Sequence, residues 1–281
     1  MIAMDMSFMG EFRVQGRDAG AFLDYLSANE VNGETGRITY TQWLNEAGRL
    51  EADLTVIKVD ENDFIVVTSD IAHRHTETWM KRHIAEGRHV FVPDVTSGYG
   101  QLNIPSEQAL HVYDRVMDAG KKFGLKLAGL KALASLRLEK GYRDYGHDID
   151  NMDDPYSTGL GFAVKTDKPG GFIGQQASIE RKAAAPYRGR MVQVLLKDFE
   201  PLMFHQEIVL RDGVAVGHLR AASYGHTLGG ACVLAQAGHL VDIGYVFLPR
   251  YEIGAVMLET EGHGAFLFLD DQVLQHLVPA R

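Results

Sequence analysis

The sequence predicts an α+β protein with largely antiparallel sheets, and three observations carry that reading. Strand and helix patterns through residue 150 alternate with hairpins and lack the regular strand–helix–strand crossovers of a doubly wound sheet. From Arg190 onward the segments are short, β-rich and bounded by Gly, Pro and Asp, which predicts a separate β-sandwich or barrel module. At 281 residues, 46% apolar and 23% charged, the chain is long enough for two or three packed units. The expected division is residues 1–150 as α+β modules, 151–189 as a connecting segment and 190–281 as a β-rich C-terminal module.

Taken in order, Phe8 to Val14 reads as a strand. Arg17 to Ala28 carries Ala21, Phe22, Tyr25 and Leu26 at helical spacing. Arg37 to Leu44 and Arg49 to Val59 are β-rich and joined by Asn45-Glu-Ala-Gly48, a hairpin signature with Gly48 available for positive φ. In the second of these runs Leu50, Ala52, Leu54 and Val56 share one face, and Glu51, Asp53, Thr55 and Ile57 share the other. Phe64 to Val67 is a strand, Ser69 or Asp70 is expected to cap a helix running to Ile84, and Val90 to Val92 is a short strand. Pro105 to Gly120 has a helical apolar stripe behind an initiating proline. Ala128 to Lys140 is a helix that Gly141 stops, because glycine takes the left-handed C-cap conformation without steric cost. Beyond it, Gly159 to Val164 is expected as a short strand and Gln175 to Ala184 as a helix. Arg211-Asp-Gly213 is expected as a hairpin turn.

A net charge of -9 argues against a general nucleic-acid binder, which needs clustered Lys and Arg. Cys232 is the only cysteine, which excludes an intrachain disulfide and any cysteine-only metal cluster. No window of eighteen consecutive apolar residues exists, and the first residues do not read as a secretory signal, so a cytoplasmic protein with no membrane partner is expected. Among the 12 histidines, His73 and His75 lie two apart on a predicted helix and form no i,i+4 pair. They read as solvated helix histidines, and no metal site is expected. No Gly-x-Ser-x-Gly elbow is present, and Gly159-Leu-Gly161 lacks the third glycine of a dinucleotide fingerprint.

Three stretches remain: Asp53 on its hairpin, Arg137-Leu-Glu-Lys-Gly-Tyr-Arg-Asp-Tyr-Gly-His-Asp148, and Ser223-Tyr-Gly-His-Thr-Leu-Gly229. In the second, a guanidinium beside tyrosine rings suits a flat, polar, aromatic ligand. An ion-pair cluster at a helix end accounts for the same residues equally well.

At these residues the chain resembles the folate-dependent aminomethyltransferase family, the glycine-cleavage T-protein. Within that family it is similar to the folate-binding half of the dimethylglycine and sarcosine dehydrogenases. Tyr40-Thr-Gln-Trp-Leu-Asn-Glu-Ala-Gly-Arg-Leu-Glu-Ala-Asp-Leu-Thr-Val56, Ala109-Leu-His-Val-Tyr113, Leu136 to Asp148 and Ala222-Ser-Tyr-Gly-His-Thr-Leu-Gly229 carry the likeness. The resemblance implies a cloverleaf of three modules around a hole that holds tetrahydrofolate, and transfer of a one-carbon unit from a small donor. By matching position, it implies that Asp53 faces the reacting folate nitrogens and that Tyr40 lines the same pocket. It likewise implies that Arg137 lies on the pterin side and that Tyr145 packs on the ligand. A dehydrogenase subunit is the partner this resemblance suggests.

Two departures stand out. The likeness begins where family members are already well under way, and Val95 to Ser106 joins two places that a large block normally separates. At that junction Gln101 stands where the family places a glutamate gripping the pterin amino edge. Glutamine keeps one acceptor but loses the charge, so weaker pterin affinity is expected. A sheet shortened in this way is expected to bury its exposed edge in a homodimer, with residues near Ser97 to Ile104 at the interface. The competing reading is a repurposed scaffold: an enzyme on another substrate, or a non-catalytic binding subunit.

Overall fold

The computed structural model describes residues 2–3, 5–100, 104–185, 187, 189–196, 203–211, 213–238, 247–248, 251–260 and 263–265. In chain order the main elements are β1 (Gly10–Gln15), α1 (Ala19–Leu26), β2 (Ile38–Leu44), β3 (Leu50–Asp60), β4 (Asp63–Thr68), α2 (His73–His83), α3 (Ser106–Gly120), α4 (Leu130–Glu139) and α5 (Gln175–Ala183). There follow β5 (Gly189–Leu196), β6 (Ile208–Arg211), β7 (Val214–Gly225), β8 (Gly230–Gly238), β9 (Phe247–Leu248), β10 (Tyr251–Thr260) and β11 (His263–Ala265). They divide into two compact units. The first comprises Met1–Leu130, Asp150–Asp154 and Ala163–Arg181, and the second Lys131–Ile149, Pro155–Phe162 and Lys182–Arg281.

The first unit is built on a four-stranded antiparallel sheet in the order β1-β4-β3-β2. Strand alternation puts Phe12, Val14, Trp43, Ala52, Leu54, Val56, Phe64 and Val66 on one face, where they pack with Phe22, Leu23 and Leu26 of α1 and Trp79 and Met80 of α2. Trp43 is fully buried, and its indole N–H is satisfied by Ser27 Oγ at 3.0 Å. The β2–β3 turn forms as expected, with Gly48 at φ +69° and Asn45 Oδ1 accepting from the N–H groups of Ala47 and Arg49. The outer edge of β1 is occupied too. Gln15 and Phe91 pair through a bridge, Arg13 N–H reaches Pro93 O at 3.1 Å, and Val95 N–H reaches Glu11 O at 2.9 Å. The Val90 to Val92 segment is therefore an edge partner made of isolated bridges.

Behind α1, Lys168 is almost wholly buried. Its ammonium donates to the carbonyls of Asp24, Ser27 and Asn29, collecting acceptors that a helix C-terminus leaves open. Asp24 Oδ1 at 3.1 Å supplies its counter-charge.

In the second unit α4 ends as the sequence predicts. Gly141 lies at φ +66°, Tyr142 N–H bonds Arg137 O at 2.9 Å and Gly141 N–H bonds Leu138 O at 3.0 Å, which together make a Schellman cap. The unit also holds a seven-stranded antiparallel sheet, β9-β6-β7-β8-β5-β10-β11, in which β9 pairs with β10 as well. Its core gathers Val192, Val194, Leu196, Met203, Val209, Leu219, Ala231, Val233 and Ala235. The predicted hairpin is present between β6 and β7, with Arg211 opposite Val214 and Gly213 at φ +78°.

Two expectations are corrected. Gly159 to Val164 is not a strand: Gly161–Ala163 is a single 3₁₀ turn, approached through turn bonds from Gly159 N–H to Tyr156 O and from Leu160 N–H to Pro155 O. An apolar run this short carries no periodicity to separate strand from turn. Ser69 and Asp70 do not cap α2 directly. They cap a preceding turn through Ala72 N–H and His73 N–H, and the helix begins at His73.

Candidate functional site

In the first unit the residues of interest stand on the sheet face opposite the core. Cross-strand register sets Glu11 beside Val67, Val67 beside Thr55 and Thr55 beside Tyr40, a row spanning all four strands. Asp53 lies one pleat further along, opposite Gln42. Because cross-strand partners project to the same side, Glu11, Thr55, Tyr40, Gln42 and Asp53 share this face. Tyr40 and Asp53, the pair proposed from sequence, are thus brought together, both half-buried.

Gln42 Nε2 donates to Asp53 Oδ1 at 3.0 Å, which fixes one edge of the carboxylate. Gln42 itself is fully buried, and its Oε1 meets no donor among the described residues. Reversing its amide would turn that oxygen toward the Asp53 carboxylate, so the Asp53 bond settles the orientation. Glu11 is only 2% exposed, and its Oε2 also lacks a donor among the described residues. Burial pushes the Glu11 carboxyl above its usual range. Arg13, nearby on the same face, is already committed. Its Nε donates to Asp63 at 2.9 Å and 3.1 Å, and the Tyr99 hydroxyl contacts it as well. Among the described residues this face therefore holds two buried acceptors, Glu11 Oε2 and Gln42 Oε1, that meet no donor. Sequence reasoning missed Glu11 and Gln42; period-two alternation assigns their face, but only the folded sheet shows that they are buried.

In the second unit Arg137 sits at the end of α4. Its Nη1 and Nη2 grip both carboxylate oxygens of Asp148, with Nη2 to Oδ1 at 3.0 Å. Nη1 also reaches Tyr142 O at 3.1 Å, and Asp144 Oδ2 lies 3.9 Å from Nε. Asp148 is completely buried and also accepts from Asp144 N–H at 3.0 Å. The ion-pair reading of this stretch is therefore present in the structure, whatever else Arg137 does. Tyr145 is half-buried, and its backbone bridges to Ile149.

The third motif joins the second. Ser135 Oγ donates to Tyr224 O at 2.7 Å, and Thr227 N–H donates to Glu139 Oε1 at 2.7 Å. Cys232 lies buried in β8, where Gln193 Nε2 is 3.2 Å from its sulfur and burial pushes the thiol pKa up, a structural environment. Gln101 lies outside the described residues.

The helix histidines are not simply solvated. His73 Nε2 lies 3.0 Å from Asp94 Oδ2, and His75 Nε2 lies 2.9 Å from Glu51 Oε2, so each ties α2 to a carboxylate on a neighbouring segment. A surface pocket of about 260 Å³ lined by Asp18, Phe22, Tyr25, His83 and Arg88 contains none of the predicted site residues. Among the described residues no helix is long and apolar enough to cross a membrane.

The family model for the GCVT N-terminal domain matches residues 1–105 and 101–168. A 4-methylaminobutanoate oxidase (formaldehyde-forming) of Paenarthrobacter nicotinovorans is 32% identical over 84% of this chain and 35% of its own length. The mitochondrial pyruvate dehydrogenase phosphatase regulatory subunit of Mus musculus is 26% identical over 80% of this chain and 32% of its own. The chain thus spans about a third of the length of these relatives. Among solved structures, the glycine cleavage system aminomethyltransferase T from Bartonella henselae superposes with a TM-score of 0.75 at 18% identity, covering 90% of this chain and 83% of that one.

Proposed function

The chain belongs to the family defined by the GCVT N-terminal domain, and from that premise we propose that it is a tetrahydrofolate-dependent one-carbon transferase acting on a small methylated amine. The observation that carries the reading is Asp53, half-buried on the second sheet face, held by Gln42 and sharing that face with Tyr40. The residues present suit folate, since a face with a buried acceptor lacking a donor calls for a ligand that brings N–H groups.

Bound tetrahydrofolate supplies the nitrogen nucleophiles that accept the carbon. The protein's part is electrostatic. Gln42 holds Asp53 Oδ1, so the carboxylate keeps a fixed orientation while positive charge builds on the transferred group, and no solvent reorganisation is needed at that moment. Tyr40, Gln101, Arg137 and Tyr145 are the residues we assign to folate binding, Arg137 as a guanidinium already oriented by Asp148. The amine donor is oxidised elsewhere in this scheme, by a dehydrogenase partner.

Asp53→Asn tests the reading. One-carbon transfer to tetrahydrofolate, with folate and the already oxidised donor both saturating, is expected to fall roughly 10²–10³-fold, the usual cost of losing one preorganised group at a reacting centre, with folding intact. Unchanged turnover removes Asp53 from the mechanism. The name of the regulatory-subunit relative favours one second reading, a non-catalytic binding subunit. Tetrahydrofolate titration separates the two, because a repurposed scaffold gives no saturable binding.

A further inference from the structure

We propose that the surface pocket between α1 and the segment following α2 is a binding site in its own right, and that it takes a small monoanion with a flat apolar body, of the aromatic carboxylate class. The pocket holds about 260 Å³, room for a single ring with a short substituent. Ala21, Phe22 and Tyr25 of α1, with Ala85, give it largely apolar walls, and Asp18, His83 and Arg88 supply its polar groups. None of these residues lies on the sheet face that carries Asp53, so the inference stands apart from the folate reading.

The two sides of the pocket are joined by a reciprocal pair of bonds. Asp18 N–H reaches His89 O at 3.3 Å, and His89 N–H reaches Asp18 Oδ2 at 2.8 Å. Gly16 allows the approach, since a Cβ there would lie 2.1 Å from His89 O. Asp18 does not make the pocket a cation site, because its oxygens are already taken. Oδ2 accepts from His89, Oδ1 lies 3.4 Å from Arg88 Nη1, and Arg17 Nε stands 3.6 Å from Oδ2. These contacts, the His89 N–H first, hold the Asp18 carboxyl below its usual range. Two guanidiniums therefore face one carboxylate, a local positive excess in a chain whose net charge is -9. Asp18 tethers Arg88 through Nη1 and leaves the rest of its donor fork for a carboxylate. His83 Nδ1, 2.8 Å from Trp79 O, donates there and leaves Nε2 to the pocket. An anion beside it favours the imidazolium, whose Nε2–H is a further donor. Phosphate suits the site less well, because a dianion loses hydration against apolar walls and meets more repulsion from Asp18. A neutral ring leaves the guanidinium unused. A carboxylate on one ring engages both halves of the pocket.

The test titrates the full chain with benzoate and with inorganic phosphate by calorimetry, as wild type, Arg88→Gln, Ala21→Phe and Lys121→Gln. Wild type is expected to bind one benzoate saturably and more tightly than phosphate. Arg88→Gln should weaken benzoate at least about 10-fold, the loss of a charge-assisted contact. Ala21→Phe fills the pocket without changing charge and should abolish binding. Lys121, an exposed lysine paired with Asp118 away from the pocket, controls for bulk charge, and Lys121→Gln should stay within about twofold of wild type. Benzoate that fails to saturate overturns the proposal. Equal losses in Arg88→Gln and Lys121→Gln, or phosphate binding as tightly as benzoate, overturn it too. If Arg88→Gln does not fold, Ala21→Phe decides: wild-type affinity overturns the site, and lost binding supports it. Saturating tetrahydrofolate should leave benzoate affinity unchanged, and competition between the two overturns a separate site. Benzoate binding without tetrahydrofolate binding sinks the folate reading alone.

Discussion

Asp148 shows how far a single side chain commits its neighbours. It is wholly buried, both its oxygens are gripped by Arg137, and one also takes the Asp144 N–H. Removing Arg137 leaves a buried carboxylate without its cation, a change that costs about 3–5 kcal/mol in comparable buried pairs. Arg137→Ala is therefore expected to lose stability of that order in urea unfolding, and adding Asp148→Asn should restore part of it. The double variant also separates the two roles of Arg137. If its tetrahydrofolate affinity matches wild type once stability is recovered, the guanidinium is a positioning element only. A persistent loss of affinity makes it a ligand contact.

Element boundaries in this chain are set by a few turn residues, and Gly141 is the clearest. Its φ of +66° is disfavoured for any residue with a Cβ, and an added Cβ would lie 2.7 Å from Gln193 Oε1. Gly141→Ala should destabilise the second unit by about 1–2 kcal/mol or more, seen as a lower urea midpoint with unchanged slope. Such elements were legible in advance because their signals are local: the β2–β3 and β6–β7 hairpins, the α4 stop and α5 all follow from periodicity and a glycine at the right place. The turn at Gly161–Ala163 was not legible, since six residues do not distinguish strand from coil. Within the candidate site, Asp53 and Tyr40 came from the motif and their shared face from period two. The burial of Glu11 and Gln42 could not be read, because it depends on what covers the sheet. The hold of Asp148 on Arg137 was hidden by a sequence separation of eleven positions, across a helix end and irregular backbone.

At the scale of the whole molecule, α3 exposes Leu110 at 73%, along with Tyr113 and Val116, and Phe123 and Leu127 follow it exposed. Apolar side chains gathered on one short stretch commonly mark an interaction surface. We propose that, if the chain forms the expected homodimer, α3 lies nearer the centre of the interface than Ser97–Ile104. Light scattering at micromolar concentration should give twice 31.1 kDa, and Leu110→Glu should return a monomer. A monomeric wild-type chain removes the dimer.

The division into two units has a consequence for how such a chain can vary. The backbone passes from one unit to the other five times, at 130/131, 149/150, 154/155, 162/163 and 181/182. No single cut yields one unit intact and the other untouched, because Asp150–Asp154 and Ala163–Arg181 return to the first after the second has begun. Leu50 N–H bonds Asp153 O at 3.0 Å, and Arg181 Nε bonds Ala47 O at 2.8 Å, so these returning pieces are stitched into the first unit near the hairpin that carries Asp53. Recombination between homologues at any one point therefore mixes parental residues inside at least one core. The two units are inherited together, and the strand bearing Asp53 is tied to segments encoded more than a hundred residues later.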